Sequence, residues 1–190
     1  MAEWIALDWG TSSFRAYLVR DKFILDKIST NDGMKFVSKA NFKNILIKNI
    51  CVWLKSYNIK TILVSGMVGS KQGWVEVPYK KCPCSVLKLN FTKIKISKKI
   101  NVIILSGISQ QRPDDVMRGE ETQIAGYLLK NKFFEGSICL PGTHSKWVQI
   151  LDMKIIKFNT FLTGELFEII KKNSILCHNL NSNKIDEKIV

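Results

Sequence analysis

The spacing of apolar and polar residues predicts a mixed α/β chain that begins with three strands. Apolar runs at residues 5–7, 16–19 and 23–28 are separated by tight turns, which is typical of an antiparallel meander. Over residues 41–57 the apolar positions recur every three or four residues, as they do on one face of a helix. The apolar strand Thr61–Ser65 then returns parallel to the first strand, and this strand, helix, strand crossover indicates an α/β sheet.

The second half of the chain continues the alternation of strands and helices. A glycine-rich loop at residues 66–79 follows a parallel strand, and α/β proteins place ligands at this end of such strands. The remaining predicted elements are a strand at residues 102–106, a helix at about 120–129, a hairpin at 138–147, a strand near 154–158 and a helix at about 165–172.

Composition is that of an ordinary globular protein. The 190 residues suffice for one domain, or for one domain and part of another, and 46% of them are hydrophobic. No apolar run approaches the ~18 residues of a membrane span, and the first residues lack the features of a signal peptide. We therefore expect a cytoplasmic protein without a membrane partner.

The net charge of +13 invites a nucleic-acid function, but the kind of basic residue argues against it. Lysine accounts for 25 of the 29 basic residues and is spread along the chain, whereas specific nucleic-acid surfaces favour arginine. We therefore expect no nucleic-acid partner. The cysteines lack the paired spacing of a zinc site and are expected to be structural thiols, with Cys139 packed in the core: Cys51, Cys82, Cys84, Cys139 and Cys177.

Two segments repeat one pattern, in which a strand, a Gly-Thr turn with hydroxyls and a cation, and a second strand follow one another. They lie at residues 5–15 and 138–147. Glycine lets a ligand approach the backbone, and the hydroxyl and N–H groups suit phosphate oxygens, although each segment can also be an ordinary hairpin. Asp8 ends an apolar strand where a carboxylate has no packing role, so it can hold Mg²⁺ through water.

Adjacent carboxylates begin the helix predicted after residue 119. Glu120 and Glu121 would be stabilised there by the helix dipole, so a structural role is adequate. In phosphate transfer to an alcohol, a carboxylate beside the bend at Arg118 can instead accept the hydroxyl proton. In the glycine-rich loop, Trp74 and Tyr79 can flank a sugar face or anchor the loop.

Five strings occur in an order and spacing that resemble the 2-dehydro-3-deoxygalactonokinase family. The resemblance covers residues 3–178, and its two most specific strings are Arg-Gly-Glu-Glu-Thr-Gln and Pro-Gly-Thr-His-x-Lys-Trp. The five are Leu-Asp-Trp-Gly-Thr at 7–11, Gly-Met-Val-Gly-Ser at 66–70 with Gly-Trp at 73–74, Val-Met-Arg-Gly-Glu-Glu-Thr-Gln at 116–123, Leu-Pro-Gly-Thr-His-Ser-Lys-Trp-Val at 140–148 and Thr-Gly-Glu-Leu-Phe at 163–167.

The resemblance implies a ribonuclease H-like ATPase fold, as in actin, sugar kinases and Hsp70, and a kinase that uses ATP and Mg²⁺. Such a kinase transfers the γ-phosphate to the 6-hydroxyl of 2-dehydro-3-deoxy-D-galactonate. The residues matching the two phosphate loops are Gly10, Thr11, Ser12, Ser13, Gly142, Thr143, His144, Ser145 and Lys146, with Asp8 as the Mg²⁺-linked carboxylate.

The same resemblance implies residues for the acceptor, some of which stay open. By analogy with related phosphate-processing proteins Glu121 is the base, with Glu120 as its alternative. The substrate carboxylate needs a cation, for which Arg15, Arg118 and Lys146 are the candidates, and no residue is assigned to reading the galactonate against the gluconate epimer. The residues expected beside the sugar acid are Arg15, Met67, Gly69, Ser70, Trp74 and Arg118.

We expect a first lobe at residues 1–132 and a second lobe at 133–190. The second lobe is expected to be incomplete, because family members are longer and the polar residues 179–184 are unlike a folded end. Three readings stay open. The chain is part of a working kinase completed by a carboxyl-terminal lobe or a second copy, a truncated inactive product, or a sugar-acid-binding module. Another phosphotransferase or a phosphatase of the same superfamily is a wider alternative.

Overall fold

The computed structural model describes residues 3–175 and begins with the predicted meander. Its three strands pair antiparallel in sequence order: β1 (Glu3–Trp9), β2 (Phe14–Arg20) and β3 (Phe23–Thr30). Helix α1 (Phe42–Ser56) follows and leads to β4 (Thr61–Ser65), which pairs parallel with β1. The predicted meander and crossover are therefore confirmed.

The middle of the chain is richer in short strands than the sequence pattern predicts. In chain order they are β5 (Lys80–Lys81), β6 (Cys84–Ser85), β7 (Phe91–Lys95), β8 (Asn101–Leu105), β9 (Ile108–Gln111) and β10 (Asp114–Met117). Short 3-10 turns lie at Met34–Phe36, Lys39–Asn41, Met67–Gly69 and Val86–Lys88. Only β8 was predicted, because β5, β6, β9 and β10 have two to four residues each and β7 has no apolar run, with exposed and half-buried positions alternating along it.

The remaining elements confirm the predictions for the last third of the described chain. They are α2 (Glu120–Lys130), β11 (Gly136–Leu140), β12 (Ser145–Leu151), β13 (Lys154–Phe161) and α3 (Thr163–Asn173). Strands β11, β12 and β13 pair antiparallel in sequence order. Within residues 3–175 no helix is both long enough and apolar enough to cross a membrane.

Within the described residues the strands form three sheets. The largest has the order β3-β2-β1-β4-β8-β7, with β4 and β8 parallel to β1 and with β2 antiparallel to its neighbours. This arrangement is that of the ribonuclease H-like fold, so the expected fold class is confirmed. The smaller sheets have the orders β10-β9-β5 and β11-β12-β13-β6.

Two apolar clusters hold these layers together. In the first, α1 packs its buried Phe42, Leu46, Ile50 and Trp53 against one face of the six-stranded sheet. In the second, Ile124 and Leu128 of α2 pack against residues of β12 and β13 such as Val148 and Phe158. Each fully buried aliphatic or aromatic side chain contributes roughly 1.5–3 kcal/mol, so the two clusters are the main source of stability.

Segments that precede residue 132 pack into the second cluster. Strand β6 pairs with β13, so that Ser85 lies opposite Lys154. The side-chain amide of Gln110 donates to Phe158 O at 2.7 Å and accepts from Phe158 N–H at 2.9 Å, as a neighbouring strand would. The division of the chain at residue 132 stays a prediction, and the two apolar clusters do not divide there.

The cysteines of the described region are free thiols. Burial raises the pKa of Cys82 to about 11, as expected of a structural thiol. The prediction that Cys139 is packed in the core is wrong, because β11 is the edge strand of its sheet and Cys139 is exposed there beside half-exposed Trp147. Cys177 and the polar residues 179–184 lie outside the described residues.

Candidate active site

The first Gly-Thr turn, residues 10–13, joins β1 to β2 and is held by the next segment of the chain. Met34 N–H donates to the Gly10 carbonyl at 2.9 Å, and Lys35 N–H donates to the Thr11 carbonyl at 3.0 Å. Because these carbonyls are already engaged, an anion at the turn would meet N–H and hydroxyl groups rather than unpaired carbonyl oxygens.

The second Gly-Thr turn, residues 141–144, joins β11 to β12 and is held in the same way by the start of α3. Gly164 N–H donates to the Gly142 carbonyl at 3.2 Å, and Glu165 N–H donates to the Thr143 carbonyl at 3.0 Å. Side-chain contacts also join the second turn to α3. The Ser145 and Thr163 hydroxyls form a hydrogen bond with each other, and His144 Nε2 contacts Glu165 Oε2.

A glycine permits the close approach of the holding segment at each turn. A Cβ at Gly33 would lie 2.1 Å from the carbonyl carbon of Ser12, and a Cβ at Gly164 would lie 2.5 Å from the Gly142 carbonyl oxygen. Real Cβ atoms do not approach other atoms so closely. The two turns therefore share a Gly-Thr-x-Ser sequence, backbone hydrogen bonds to the carbonyls of its Gly and Thr, and a glycine in the segment behind them.

Both turns line one cleft of about 390 Å³, which also receives the start of α2. The lining residues are Asp8, Gly10, Thr11, Ser12, Ser13, Arg15, Met67, Arg118, Gly119, Glu120, Gln123, Leu140, Pro141, Gly142, Thr143 and His144. A larger cavity of about 830 Å³ continues from the two turns along α3 and includes Lys35 and Lys172. The cleft is therefore bordered by donors from both turns, and its volume is in the range of small-molecule sites.

Asp8 stands beside the first turn on β1. Its Oδ2 lies 3.5 Å from Nη2 of Arg15, the residue opposite it on β2. Burial raises the pKa of Asp8, while the Arg15 guanidinium acts in the opposite direction. Arg15 also donates to Ser13 Oγ at 3.2 Å, so its charge is already shared between this carboxylate and the turn.

The two glutamates at the start of α2 occupy different environments, because successive residues point about 100° apart around a helix. Glu120 lines the cleft, and its Oε2 accepts from Arg118 N–H at 3.0 Å. Glu121 is fully buried, and its Oε2 accepts from Gly119 N–H at 2.7 Å while Oε1 has no partner among the described residues. Burial raises the pKa of Glu121 to about 8.

The loop after β4 contributes one side chain to the cleft and several to the interior. Met67 lines the cleft. Trp74 stacks on Phe42, with ring centroids 6.2 Å apart, and meets the edge of Trp9, so it anchors the loop in the first apolar cluster. Ser70 is buried, and its hydroxyl donates to the sulfur of Met34 at 3.6 Å.

Lys146 lies away from the cleft, although the sequence places it with the second turn. It is only 6% exposed, and its Nζ donates to Val116 O at 2.7 Å and to Thr160 Oγ1 at 2.6 Å. The carboxylate of Asp115 lies 3.9 Å from the same nitrogen. Successive strand side chains alternate between two faces, and Lys146 points to the interior face of β12.

Some residues of the cleft, of the adjoining larger cavity and of the segments behind the turns were not singled out from the sequence. Gln123 lies one helical turn after Glu120, and this spacing of three residues would have placed both on one face of α2. Lys35 follows the break at residues 31–33, which was treated only as the end of a strand. The glycines behind the turns, Gly33 and Gly164, carry no sequence signal that specifies their contact.

Sequence and structure comparisons agree on one group of relatives. A family described as 2-keto-3-deoxy-galactonokinase matches residues 8–189. A probable 2-dehydro-3-deoxygalactonokinase of Rhizobium meliloti is 37% identical over 177 residues, covering 91% of this chain and 58% of the relative. The 2-dehydro-3-deoxygalactonokinase of Escherichia coli is 30% identical over 178 residues, covering 92% of this chain and 59% of the relative.

A solved structure gives the same result for the fold. The crystal structure of a Sinorhizobium meliloti protein, provisionally named a 2-dehydro-3-deoxygalactonokinase, superposes with a TM-score of 0.83 at 34% identity. The match covers 95% of this chain and 60% of that protein. The chain thus spans about three fifths of the length of these relatives.

Proposed function

Because the chain belongs to the 2-keto-3-deoxy-galactonokinase family, we propose that it takes part in a phosphate transfer. The reaction moves the γ-phosphate of ATP to the 6-hydroxyl of 2-dehydro-3-deoxy-D-galactonate and gives the 6-phosphate and ADP. The observation that carries this proposal is the matched pair of Gly-Thr turns, whose carbonyls are engaged and which line one cleft with Asp8 and Glu120.

In this proposal the two turns bind the phosphates of ATP between them. Hydroxyl groups of Thr11, Ser12, Ser13 and Thr143, together with turn N–H groups, would donate to phosphate oxygens. A nucleotide held between two lobes brings its terminal phosphate close to an acceptor in the same cleft, and this positioning is the main contribution that a protein makes to phosphoryl transfer.

Asp8 fits the part of a carboxylate that holds Mg²⁺ through water. The described residues contain no cluster of three or more potential metal ligands, but Mg²⁺ commonly binds one or two carboxylates and completes its shell with water and phosphate oxygens. Asp8 borders the cleft beside the first turn, as this arrangement requires. When bound, the ion would neutralise charge on the phosphates.

A carboxylate at the start of α2 takes the proton of the acceptor. The 6-hydroxyl oxygen bonds to the γ-phosphorus as the bond from that phosphorus to the bridging oxygen breaks, and the hydroxyl proton passes to the carboxylate. Glu121 is the choice by analogy with related proteins. Glu120 is the alternative that the geometry favours, because it lines the cleft and Glu121 is buried.

The test is ADP release by the folded chain with Mg-ATP and 2-dehydro-3-deoxy-D-galactonate. The gluconate epimer and a reaction without acceptor serve as controls, and circular dichroism shows that the sample is folded. Release that requires the galactonate supports the proposal. Release that is independent of acceptor would indicate hydrolysis and a phosphatase instead.

Two further outcomes separate the remaining readings of the chain. Activity that appears only after addition of the carboxyl-terminal segment of a family member would support the transfer reaction and assign part of the site to that segment. Binding of the sugar acid without binding of nucleotide, both with and without the added carboxyl-terminal segment, would contradict a kinase and indicate a sugar-acid-binding module.

A further inference from the structure

The two Gly-Thr turns border two spaces at once. Residues of both turns line the cleft of about 390 Å³ and also the larger cavity of about 830 Å³: Thr11, Ser12, Thr143 and His144. Asp8 and Glu120 line the cleft but not the larger cavity, whereas Lys35 lines the larger cavity but not the cleft. The turns therefore lie between a space that holds the candidate magnesium carboxylate and base and a space that holds a lysine.

The geometry of phosphoryl transfer assigns these two spaces to different reactants. The attacking and the leaving oxygen lie roughly in line on opposite sides of the γ-phosphorus. The proposed function places the acceptor in the cleft, beside Asp8 and Glu120. We therefore expect the diphosphate part of ATP to extend to the other side of the turns, into the larger cavity along α3.

Lys35 lies directly behind the first turn. Its backbone N–H donates to the Thr11 carbonyl at 3.0 Å, so its main chain is fixed to the turn. Its side chain is exposed, and the ammonium nitrogen lies 4.8 Å from the ring centroid of Phe36, in a surface contact that a bound anion can replace. Because lysine ends in three donors on a flexible four-carbon stem, this ammonium group can reach an anion bound at the turn.

The charges of the larger cavity also distinguish Lys35. Within residues 3–175 it has no acidic partner at ion-pair distance. The other charged side chains that line this cavity contact one another: Glu165 with His144, and Glu168 with Lys172. A phosphate group entering the cavity would therefore meet one cation whose charge is not already compensated.

Two of the cations that the sequence places beside the motifs are engaged elsewhere. Arg15 contacts the carboxylate of Asp8 and donates to Ser13 Oγ. Lys146 is surrounded by oxygen acceptors in the interior, among them Thr160 Oγ1. Neither residue lines the larger cavity.

The third of these cations, Arg118, is held by the loop after β4. It is 8% exposed, and its Nη2 donates to Val77 O at 3.0 Å. Its central carbon lies 4.3 Å from the ring centroid of Tyr79, and a Cβ added at Gly69 would lie 2.9 Å from Nη1. The guanidinium therefore packs against this loop, and Lys35 is the cation best placed for the diphosphate.

We propose that Lys35 binds the β-phosphate of ATP from the side of the larger cavity. This assignment rests on the proposed function, because the position of the acceptor in the cleft decides on which side the diphosphate lies. When the bond from the γ-phosphorus to the bridging oxygen breaks, its electron pair stays on that oxygen and leaves with ADP. An ammonium donor at the β-phosphate stabilises this added negative charge.

The experiment is isothermal titration calorimetry of the folded chain with ATP, ADP and AMP, each with Mg²⁺, and with 2-dehydro-3-deoxy-D-galactonate. Lys35→Met should lower the affinities for ATP and ADP about 10-fold or more, because a charge-assisted hydrogen bond is lost. The affinities for AMP, which has no β-phosphate, and for the sugar acid should be unchanged. Lys35→Arg keeps the charge and should restore most of the ADP affinity.

Two control variants remove the same charge from other places. Lys39→Met lies in the next 3-10 turn of the same segment, is exposed and lines neither cavity. Lys172→Met lies in the same cavity near the end of α3, where Nζ is 2.8 Å from Glu168 Oε2. Both should lower ADP affinity less than Lys35→Met does. Thermal unfolding of each variant reports whether the fold is retained.

Several outcomes would overturn the assignment. They are an unchanged ADP affinity in folded Lys35→Met, an equal loss in either control variant, an equal loss for ADP and AMP, and a wild-type chain that binds neither ATP nor ADP. ADP release tests the proposed function separately. A chain whose ADP affinity depends on Lys35 but which transfers no phosphate to the sugar acid would support the phosphate contact and contradict the kinase.

Discussion

The two Gly-Thr turns are built alike but supported differently. At the first turn the holding segment begins at Gly33 and belongs to the first apolar cluster, against which Met34 packs. At the second turn the holding segment is α3, in which no residue is buried. Local backbone geometry is thus specified by the Gly-Thr sequence and a glycine behind it, whereas the rigidity of each turn depends on what packs against its support.

The turns also differ in charge. Asp8 lies two residues before the glycine of the first turn, and Leu140 occupies the corresponding place before the second. The Gly-Thr sequence that both turns share therefore suits a phosphate group, and Asp8, which only the first turn has, suits a cation. The experiments below separate the shared features from the unique ones, beginning with the largest expected effect.

Replacing Asp8 tests the chemical difference between the turns. Asp8→Asn keeps the shape but removes the charge, and we expect kcat to fall about 100-fold or more with little change in sugar-acid affinity. Steady-state kinetics of the active form, with or without an added carboxyl-terminal segment, measures this. Asp21→Asn, in the exposed turn after β2, is the control and should leave kcat unchanged. An equal effect of both changes would remove Asp8 from the site.

Alanine at each supporting glycine tests the difference in packing. Gly33→Ala forces the first turn away from a packed segment and should lower the free energy of unfolding by about 1–3 kcal/mol. Gly164→Ala makes a similar clash, but α3 can move away at little cost, so the midpoint of thermal unfolding should change less. Gly126→Ala in α2 is the control, because an added Cβ there meets nothing within 4 Å. A larger loss for Gly164→Ala would show that α3 contributes to the cooperative core.

The start of α2 faces both turns, and its buried carboxyl group predicts a pH effect. From the ordinary glutamate pKa of 4.5 up to about 8, the folded protein holds a proton on Glu121 that the unfolded chain releases, so stability falls as pH rises through this window. Glu121→Gln should therefore raise the unfolding midpoint more at pH 8 than at pH 5. Glu120→Gln should show no such pH-dependent gain, and equal behaviour of the two variants would contradict the different burial.

The smallest expected effect concerns the side-chain contact that joins the second turn to α3. His144 and Glu165 are both about half exposed, so Glu165→Gln should cost less than ~1 kcal/mol and leave the unfolding midpoint nearly unchanged. Limited proteolysis should nevertheless cut within α3 sooner. Glu168→Gln removes an exposed pair with Lys172 in the same helix without touching the turn. Equal cleavage of the two variants would mean that the turn contact adds nothing.

Much of the fold follows from the sequence because its long elements have regular patterns. Helix α1 places an apolar residue inward every three or four positions, and β1 buries every second residue. The two-residue strands β5 and β6 could not be found, since pairing across the chain rather than local pattern defines them. The packing of α2 against β12 and β13 was not predicted either, because it also depends on contacts between distant segments of the chain.

The site was predictable in its residue types and less so in their directions. The repeated Gly-Thr strings identify both turns and Asp8, which the cleft brings together. Lys146 shows the limit, because moving by one residue along a strand exchanges its two faces and the sequence left its direction open. Trp74 was equally consistent with a ligand contact and an anchor, and its ring contacts are those of an anchor.

The paired hydrogen bonds of Gln110 provide a natural probe of motion between the two sheets. Phe158 N–H is buried, and its acceptor is a side chain from β9 rather than a neighbouring strand. Exchange of this one amide hydrogen with solvent deuterium therefore requires the Gln110 side chain of β9 to leave β13. Its rate, measured beside that of strand-paired amides in β13, would report how often β9 separates from β13.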